Sequence, residues 1–186
     1  IEANRKLQLR LIVTGTHLSK EYGLTMGNIE GEGFDISERM DMSMVSDSPQ
    51  DLSYSMGQAV AAFAEVFGRW CPDILLVLGD RYEMHAAALA ALPFKIPVAH
   101  IHGGEITVGA IDDALRHSIT KLSHLHFVAT KEYERRVVQM GEAPWRVTVS
   151  GAPSLDNLDS LDLLTESDLG ERLNFSIGNA PLLVTY

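Results

Sequence analysis

The chain holds a single cysteine, Cys71, among 186 residues. That excludes an internal disulfide framework and a multi-thiolate zinc site, and it fits a reducing compartment. Cys71 itself reads as a packing residue at the end of a helix. No apolar run reaches the ~18 residues that a membrane-crossing helix needs, and no basic segment leads into an apolar one at the start. A cytoplasmic protein with no membrane partner is expected. Basic residues are few, 15 Lys and Arg against 25 Asp and Glu, for a formal net charge of −10. No basic stripe is available to follow a phosphate backbone, so nucleic acid is not an expected partner. A small anionic ligand stays open, because a few cations or helix N-termini can hold a phosphate on an acidic protein. Internal repeats and low-complexity tracts are also absent.

What is present is an ordinary globular composition, 46% hydrophobic and 22% charged, enough for one sizeable core. Leu9 to Val13 reads as a strand that ends in Gly15-Thr16-His17. Residues 19 to 50 are polar and punctuated by glycine, with a strand expected near Arg39 to Met44. Asp47-Ser48-Pro49 then offers a helix start, and Leu52, Met56, Val60, Phe63, Ala64 and Phe67 recur at helical spacing up to Trp70. Strands follow at 74–78, 96–101, 125–129 and 147–149, with helices at 84–92, 111–123 and 132–140 between them. Each strand is a continuous apolar run, which predicts a doubly wound parallel α/β sheet covered on both faces.

Ligands of such sheets bind at the carboxyl ends of the strands. Gly15 and His17, Gly79-Asp80-Arg81, His102-Gly103-Gly104-Glu105, Thr130 and Gly151 all fall there. Asp80 and Arg81 have a plain alternative as an ion pair at a helix start. His100 and His102 flank Ile101, so an extended strand points them the same way. With Glu105 they invite a metal reading, but no third neutral ligand at a familiar spacing joins them. Asp112 and Asp113 open a helix carrying Arg116, His117 and Lys121. By spacing, Asp113, Arg116, His117 and Lys121 are helix neighbours and read in part as a charged face, with Asp112 nearest the rim and a candidate cap. His124 and His126 lie at a strand's entry, and a structural role is expected for them. Tyr22, Met84 and the Met40, Met42 and Met44 series read as packing residues. Carboxylates at a rim can take a weakly acidic proton or give one to a leaving oxygen, and an arginine can stabilise a departing phosphate.

Four segments in order, THLSKEYG, GDRYEMHAAA, HIHGGEITVGAIDDALRHSITKLSH and VSGAPSLDNL, resemble the hydrolysing UDP-N-acetylglucosamine 2-epimerases of sialic acid synthesis. The resemblance spans nearly the whole chain. It implies a glycosyltransferase-B-type fold of two Rossmann-like domains, with UDP held in the cleft mainly by the second. It also implies release of UDP and N-acetylmannosamine through a 2-acetamidoglucal, with no metal or redox cofactor. Carried over, Asp80 and Asp112 match catalytic carboxylates, His17 a functionally important histidine and Arg81 a nucleotide contact. The rim residues Gly15, Gly103, Gly104, Arg116 and Gly151 are expected to bind the UDP-sugar. Some relatives have Glu where His102 stands, so either Glu105 or His102 is expected to take that role.

The family's first strand and most of its second domain are missing. Residues 1–165 are therefore expected to be the N-terminal domain, and 166–186 a linker and the opening strand of a second domain, in a fragment inactive by itself. Homodimers or homotetramers are expected, with Phe63, Phe67 and Trp70 as surplus apolar surface. His102 also brings a resemblance to enzymes acting on UDP-N,N′-diacetylbacillosamine. A non-hydrolysing epimerase would show a motif closer to His-Val-Glu-Ala-Gly-Leu-Arg than Ala99 to Glu105 does. A binding module without catalysis could lose the acids, and Asp80, Glu105 and Asp112 are all present.

Overall fold

The structure is a computed structural model and describes residues 4–42, 48–156, 161–178, 181–182 and 184. The chain divides into two compact units, Ile1–Gly151 and Ala152–Tyr186. The first unit runs β1 (Leu11–Thr14), α1 (Met26–Gly31), β2 (Ile36–Met40), α2 (Pro49–Trp70), β3 (Leu75–Leu78), α3 (Tyr82–Ala91), β4 (Val98–Ile101), α4 (Ile111–Leu122), β5 (Leu125–Val128), α5 (Lys131–Gln139) and β6 (Val147–Val149). All pairings are parallel, in a two-stranded sheet β1-β2 and a four-stranded sheet β3-β4-β5-β6. The second unit contributes α6 (Glu166–Leu173), capped by Thr165, whose Oγ1 accepts from Asp168 N at 3.2 Å. In the terminal run where a strand was expected, Pro181, Leu182 and Val184 are not in one, and the remaining positions lie outside the described residues.

Helix α2 starts and stops by local chemistry. Ser48 Oγ accepts from Asp51 N at 3.1 Å, Pro49 fits the first turn, and Cys71 ends the helix in the left-handed region at φ 45°. Asp47, part of the expected start, and Met44 lie outside the described residues. Ser55, Ala59, Phe63, Val66 and Phe67 form the buried stripe. Phe67 stacks on Phe63 with ring centroids 5.8 Å apart and meets Phe94 edge-on at 6.2 Å. Two expectations change here. Cys71 is exposed rather than packed, because a left-handed cap carries its side chain away from the helix stripe. Phe63 and Phe67 belong to the chain's own core, so they are not surplus surface for a second copy. Helix α3 is small-sided: Ala86, Ala87, Ala88, Ala90 and Ala91 are all buried, which lets it lie close between α2 and α4.

Residues paired in a parallel sheet share a face, so the register puts Leu75, Val77, Val98, His100, His126, Val128, Val147 and Val149 on one side. The core contacts of Val77 and Val98 with α2 and α3, of His100 with Thr120 of α4, and of Val128 with Val137 of α5 place these helices on that side. The opposite face was expected to be equally covered. At β3 it is not: Ile74, Leu76 and Leu78 are 50%, 49% and 52% exposed. An apolar run reports β propensity and hydrophobicity, but it does not count the layers packed on the sheet. β2 ends at Met40, earlier than the expected strand, and α3 begins at Tyr82, two residues before its expected start. Among the described residues, no helix is long and apolar enough to cross a membrane.

Candidate active site

The end of β1 reaches the first turn of α3. Gly15, at φ +62°, stands against the Glu83 carboxylate in the first turn of α3, and a Cβ at Gly15 would collide with it. From there β1 leads by α1 to β2, while β3 leads through successive helices to β4, β5 and β6, so chain progression splits between β1 and β3. Such a split opens a crevice at the strand ends. Asp80, Arg81 and Glu83 lie along its β3 side.

The plain alternative for Asp80 was an ion pair with Arg81 at the helix start. Instead its Oδ2 accepts from Arg116 Nη2, joining the end of β3 to the second turn of α4. The Arg116 side chain is only 8% exposed, and its Nε and Nη1 are buried without a partner among the described residues. A buried guanidinium with spare donors is costly unless an acceptor reaches it. Helical spacing had grouped Arg116 with Asp113 and His117. Spacing cannot see that the end of β3 offers Arg116 a partly buried carboxylate. Asp113 Oδ1 accepts from Thr107 N at 3.0 Å, and His117 Nε2 lies 3.8 Å from Asp113 Oδ2. Lys121 leaves that face altogether and bonds Glu142.

Arg81 turns to Glu83, with Nε donating to Oε2 at 3.2 Å and Nη2 to Oε1 at 3.1 Å. Glu83 is almost fully buried while the Arg81 side chain is 57% exposed, so the guanidinium is anchored from below and open above. The hydrogen bond to Glu83 raises the Arg81 pKa above its ordinary value against the opposing effect of burial, with charge from Asp112 adding to the rise. Asp112 therefore belongs to the same field. It is not the cap of α4: that position is Ala110, which makes no side-chain cap, and Asp112 sits inside the first turn.

β4 stops at Ile101, and His102 takes a left-handed φ of 67°. The two histidines consequently do not point the same way as they would on a longer strand. His100 is fully buried, donating from Nε2 to Gly79 O at 2.8 Å with Nδ1 3.3 Å from Thr120 Oγ1. Burial pushes its pKa down to about 4. His102 lies at the rim, 21% exposed, and its Nδ1 donates to Glu105 Oε1 at 2.6 Å. The intervening turn is clamped from α5. Arg136 Nη1 donates to Gly104 O, and at Gly104, φ +79°, a Cβ would come 2.6 Å from Tyr133 O. Gly103 packs beside His100 and Thr120.

The expected residues do not all converge. His17 Nδ1 bonds Thr25 Oγ1 at 2.7 Å in an exposed turn, with no hydrogen bond or ion pair to Asp80, Asp112 or His102. Gly151 follows β6, at the other side of the sheet from Arg81, roughly 14 Å away at ~4.8 Å per strand. Thr130 caps α5 by accepting from Tyr133 N. His124 Nδ1 accepts from Val98 N at 3.2 Å, and buried His126 Nε2 lies 3.3 Å from Glu142 Oε2, both structural contacts. Glu83 and Arg136 were missed. Glu83 carried a signal, as a lone acid opening an alanine-rich helix two residues after Arg81. Arg136 on an ordinary charged helix carried none. Among the described residues, no group of three or more His, Cys, Asp or Glu is arranged to hold a metal ion.

Known proteins resemble the chain throughout. Residues 1–185 match the family described as UDP-N-acetylglucosamine 2-epimerase. The GDP/UDP-N,N′-diacetylbacillosamine 2-epimerase (hydrolyzing) of Campylobacter jejuni is 40% identical over 186 residues, all of this chain and 48% of that protein. The UDP-N,N′-diacetylbacillosamine 2-epimerase (hydrolyzing) of Legionella pneumophila is 36% identical over 186 residues, all of this chain and 49% of that protein. The chain thus spans about half the length of these relatives. Among solved structures, UDP-GlcNAc 2-epimerase from Neisseria meningitidis bound to UDP-GlcNAc superposes with a TM-score of 0.77 at 22% identity, over 92% of this chain and 47% of that one. That likeness supports the fold, a Rossmann-like half of a two-domain architecture. With a match over all but one residue, and with carboxylates gathered at the strand ends, the chain belongs to the UDP-N-acetylglucosamine 2-epimerase family.

Proposed function

We propose that the full-length protein is a hydrolysing 2-epimerase of a UDP-linked 2-acetamido sugar. The observation that carries this reading is Asp80, held at the crevice by buried Arg116 and flanked by the open Arg81 guanidinium and Asp112. A base takes the proton from C2, the C–H electrons form the C1–C2 double bond, and the C1–O bond breaks with its electrons leaving on UDP. Water then adds its oxygen to C1 of the 2-acetamidoglucal, and an acid returns a proton to C2 on the opposite face. Asp80 and Asp112 are assigned to proton transfer and Arg81 to the departing diphosphate. Gly15, Gly103, Gly104 and Arg116 shape the sugar and phosphate site, and His17 and Gly151 contribute from its margins.

The favoured substrate is UDP-N,N′-diacetylbacillosamine, because two relatives named for it match the whole chain. UDP-N-acetylglucosamine, converted to N-acetylmannosamine, is the second reading, supported by the family match. Incubating full-length protein with each UDP-sugar and measuring UDP and the free sugar by NMR decides between them. Release of the epimerised sugar still linked to UDP would instead mean a non-hydrolysing enzyme. Arg81→Ala is expected to weaken UDP binding by about 1.5–3 kcal/mol, the worth of a charge-assisted contact. Calorimetry checks this, and unchanged affinity would remove Arg81 from the diphosphate site.

A further inference from the structure

Inversion at C2 sets a requirement that Asp80 alone does not meet. The proton leaves one face of the carbon and returns to the other, so two acid–base groups must stand on opposite sides of the sugar. The geometry points to His102 as one of them, with Glu105 as its positioning residue, the two acting as a single unit. This rests on the epimerase reading above and deepens it.

Four observations support the unit. His102 holds a left-handed backbone at φ 67° although it has a side chain, and such strain persists only where the surroundings enforce it. The enforcement is visible in the turn that follows: Arg136 holds the Gly104 carbonyl, Gly104 is pressed against Tyr133, and Gly103 against His100 and Thr120. The imidazole is bonded at 2.6 Å to Glu105 Oε1. An ionised carboxylate can only accept, so the proton of the neutral ring lies on Nδ1 and the lone pair is left on Nε2. Finally, Nε2 has no partner among the described residues, and the ring is partly open at the end of β4, the strand beside Asp80's own β3.

Glu105 therefore does not replace the carboxylate that some relatives carry at position 102. It selects the tautomer of the group that does, as a buried carboxylate orients a catalytic imidazole elsewhere. In the reaction, Nε2 takes the C2 proton as the C1–O bond to UDP breaks, or the protonated ring returns one to C2 as water adds to C1. Asp80 serves the opposite face of C2 in either case, and Asp112 takes the proton that the adding water gives up.

The test uses full-length protein labelled with ¹⁵N-histidine, the His102 ring signals being assigned by their loss in His102→Gln. The expected result is a protonated Nδ1 and an unprotonated Nε2, with the reverse tautomer growing in Glu105→Ala. An Nε2–H tautomer in the unmodified protein would overturn the pairing. In UDP release, His102→Ala is expected to lose a factor on the order of 10²–10⁴ in kcat. Glu105→Ala should lose about 10- to 100-fold in kcat with KM within about twofold, as expected of a group acting through another. Glu105→Asp should recover part of the loss, and circular dichroism verifies folding of each variant. Full activity in His102→Ala, or a Glu105→Ala effect confined to KM, would overturn the role. If the unmodified protein releases no UDP from either sugar, the functional reading falls and the proton-transfer role with it, while the tautomer measurement still decides the pairing.

Discussion

Asp80→Asn and Asp112→Asn are each expected to lower UDP release by the full-length protein by a factor on the order of 10²–10⁴, the usual worth of a general acid or base. Both substitutions keep shape and remove the ability to exchange a proton. At position 80 the amide oxygen can still accept from Arg116 Nη2, so the contact between the end of β3 and α4 survives. Asp112 is partly exposed and makes no capping bond, so the fold does not depend on it. Turnover in heavy water supplies the mechanistic half of the test. Proton abstraction leaves deuterium at C2 of the product, and retention of the original hydrogen there would exclude elimination through a glycal. If either variant turned over within a few fold of the parent, that carboxylate would be a spectator and the acid–base assignment would pass to the remaining groups.

The second large effect is on stability and comes from His100. Its folded pKa is depressed by burial from 6.5 to about 4, so between those values the unfolded chain binds the proton and the folded one does not. Stability contributed by this group is complete above pH 6.5 and is lost as pH falls from 6.5 towards 4. At 1.36 kcal/mol per unit, the loss between pH 7.5 and 4.5 is about 2–3 kcal/mol. His126, also depressed chiefly by burial, acts in the same direction. Glu142 is held below its ordinary value by Lys121 and His126 in spite of burial, so its share is lost only at still lower pH. Urea unfolding at the two pH values measures the total, and His100→Gln should flatten the acid limb. A variant that loses as much stability on acidification as the parent would show that the loss arises elsewhere.

The strand–helix alternation could be read from sequence because it rests on local signals: apolar runs for strands, and Ser48-Pro49 and the stripe ending at Phe67 for α2. The rim could be read too, since in a parallel sheet every strand end points the same way. What could not be read were partnerships across elements. Asp80 adjoins Arg81 and is 36 residues from Arg116, yet it is Arg116 that it meets. Periodicity carries no information about such separations. The His100 and His102 pair failed for a smaller reason. The strand ends at Ile101 as expected, but a left-handed turn at His102 converts side chains on one face into one core group and one rim group.

The bare side of β3 affects how this half of a protein behaves by itself. Among the described residues, β3 is hydrogen-bonded only to β4, so its other edge offers unpaired amides and carbonyls beside the half-exposed Ile74, Leu76 and Leu78. A free edge with an apolar stripe is a template for another strand. Such a surface, emerging from the ribosome ahead of whatever shields it, needs a chaperone or rapid completion of the sheet to avoid edge-to-edge association. A lysine at position 76 would place a charge on the stripe without touching the buried face that Leu75 and Val77 share with α2 and α3. The place where Gly15 meets Glu83 and the edge that invites aggregation thus lie at the same break between β1 and β3.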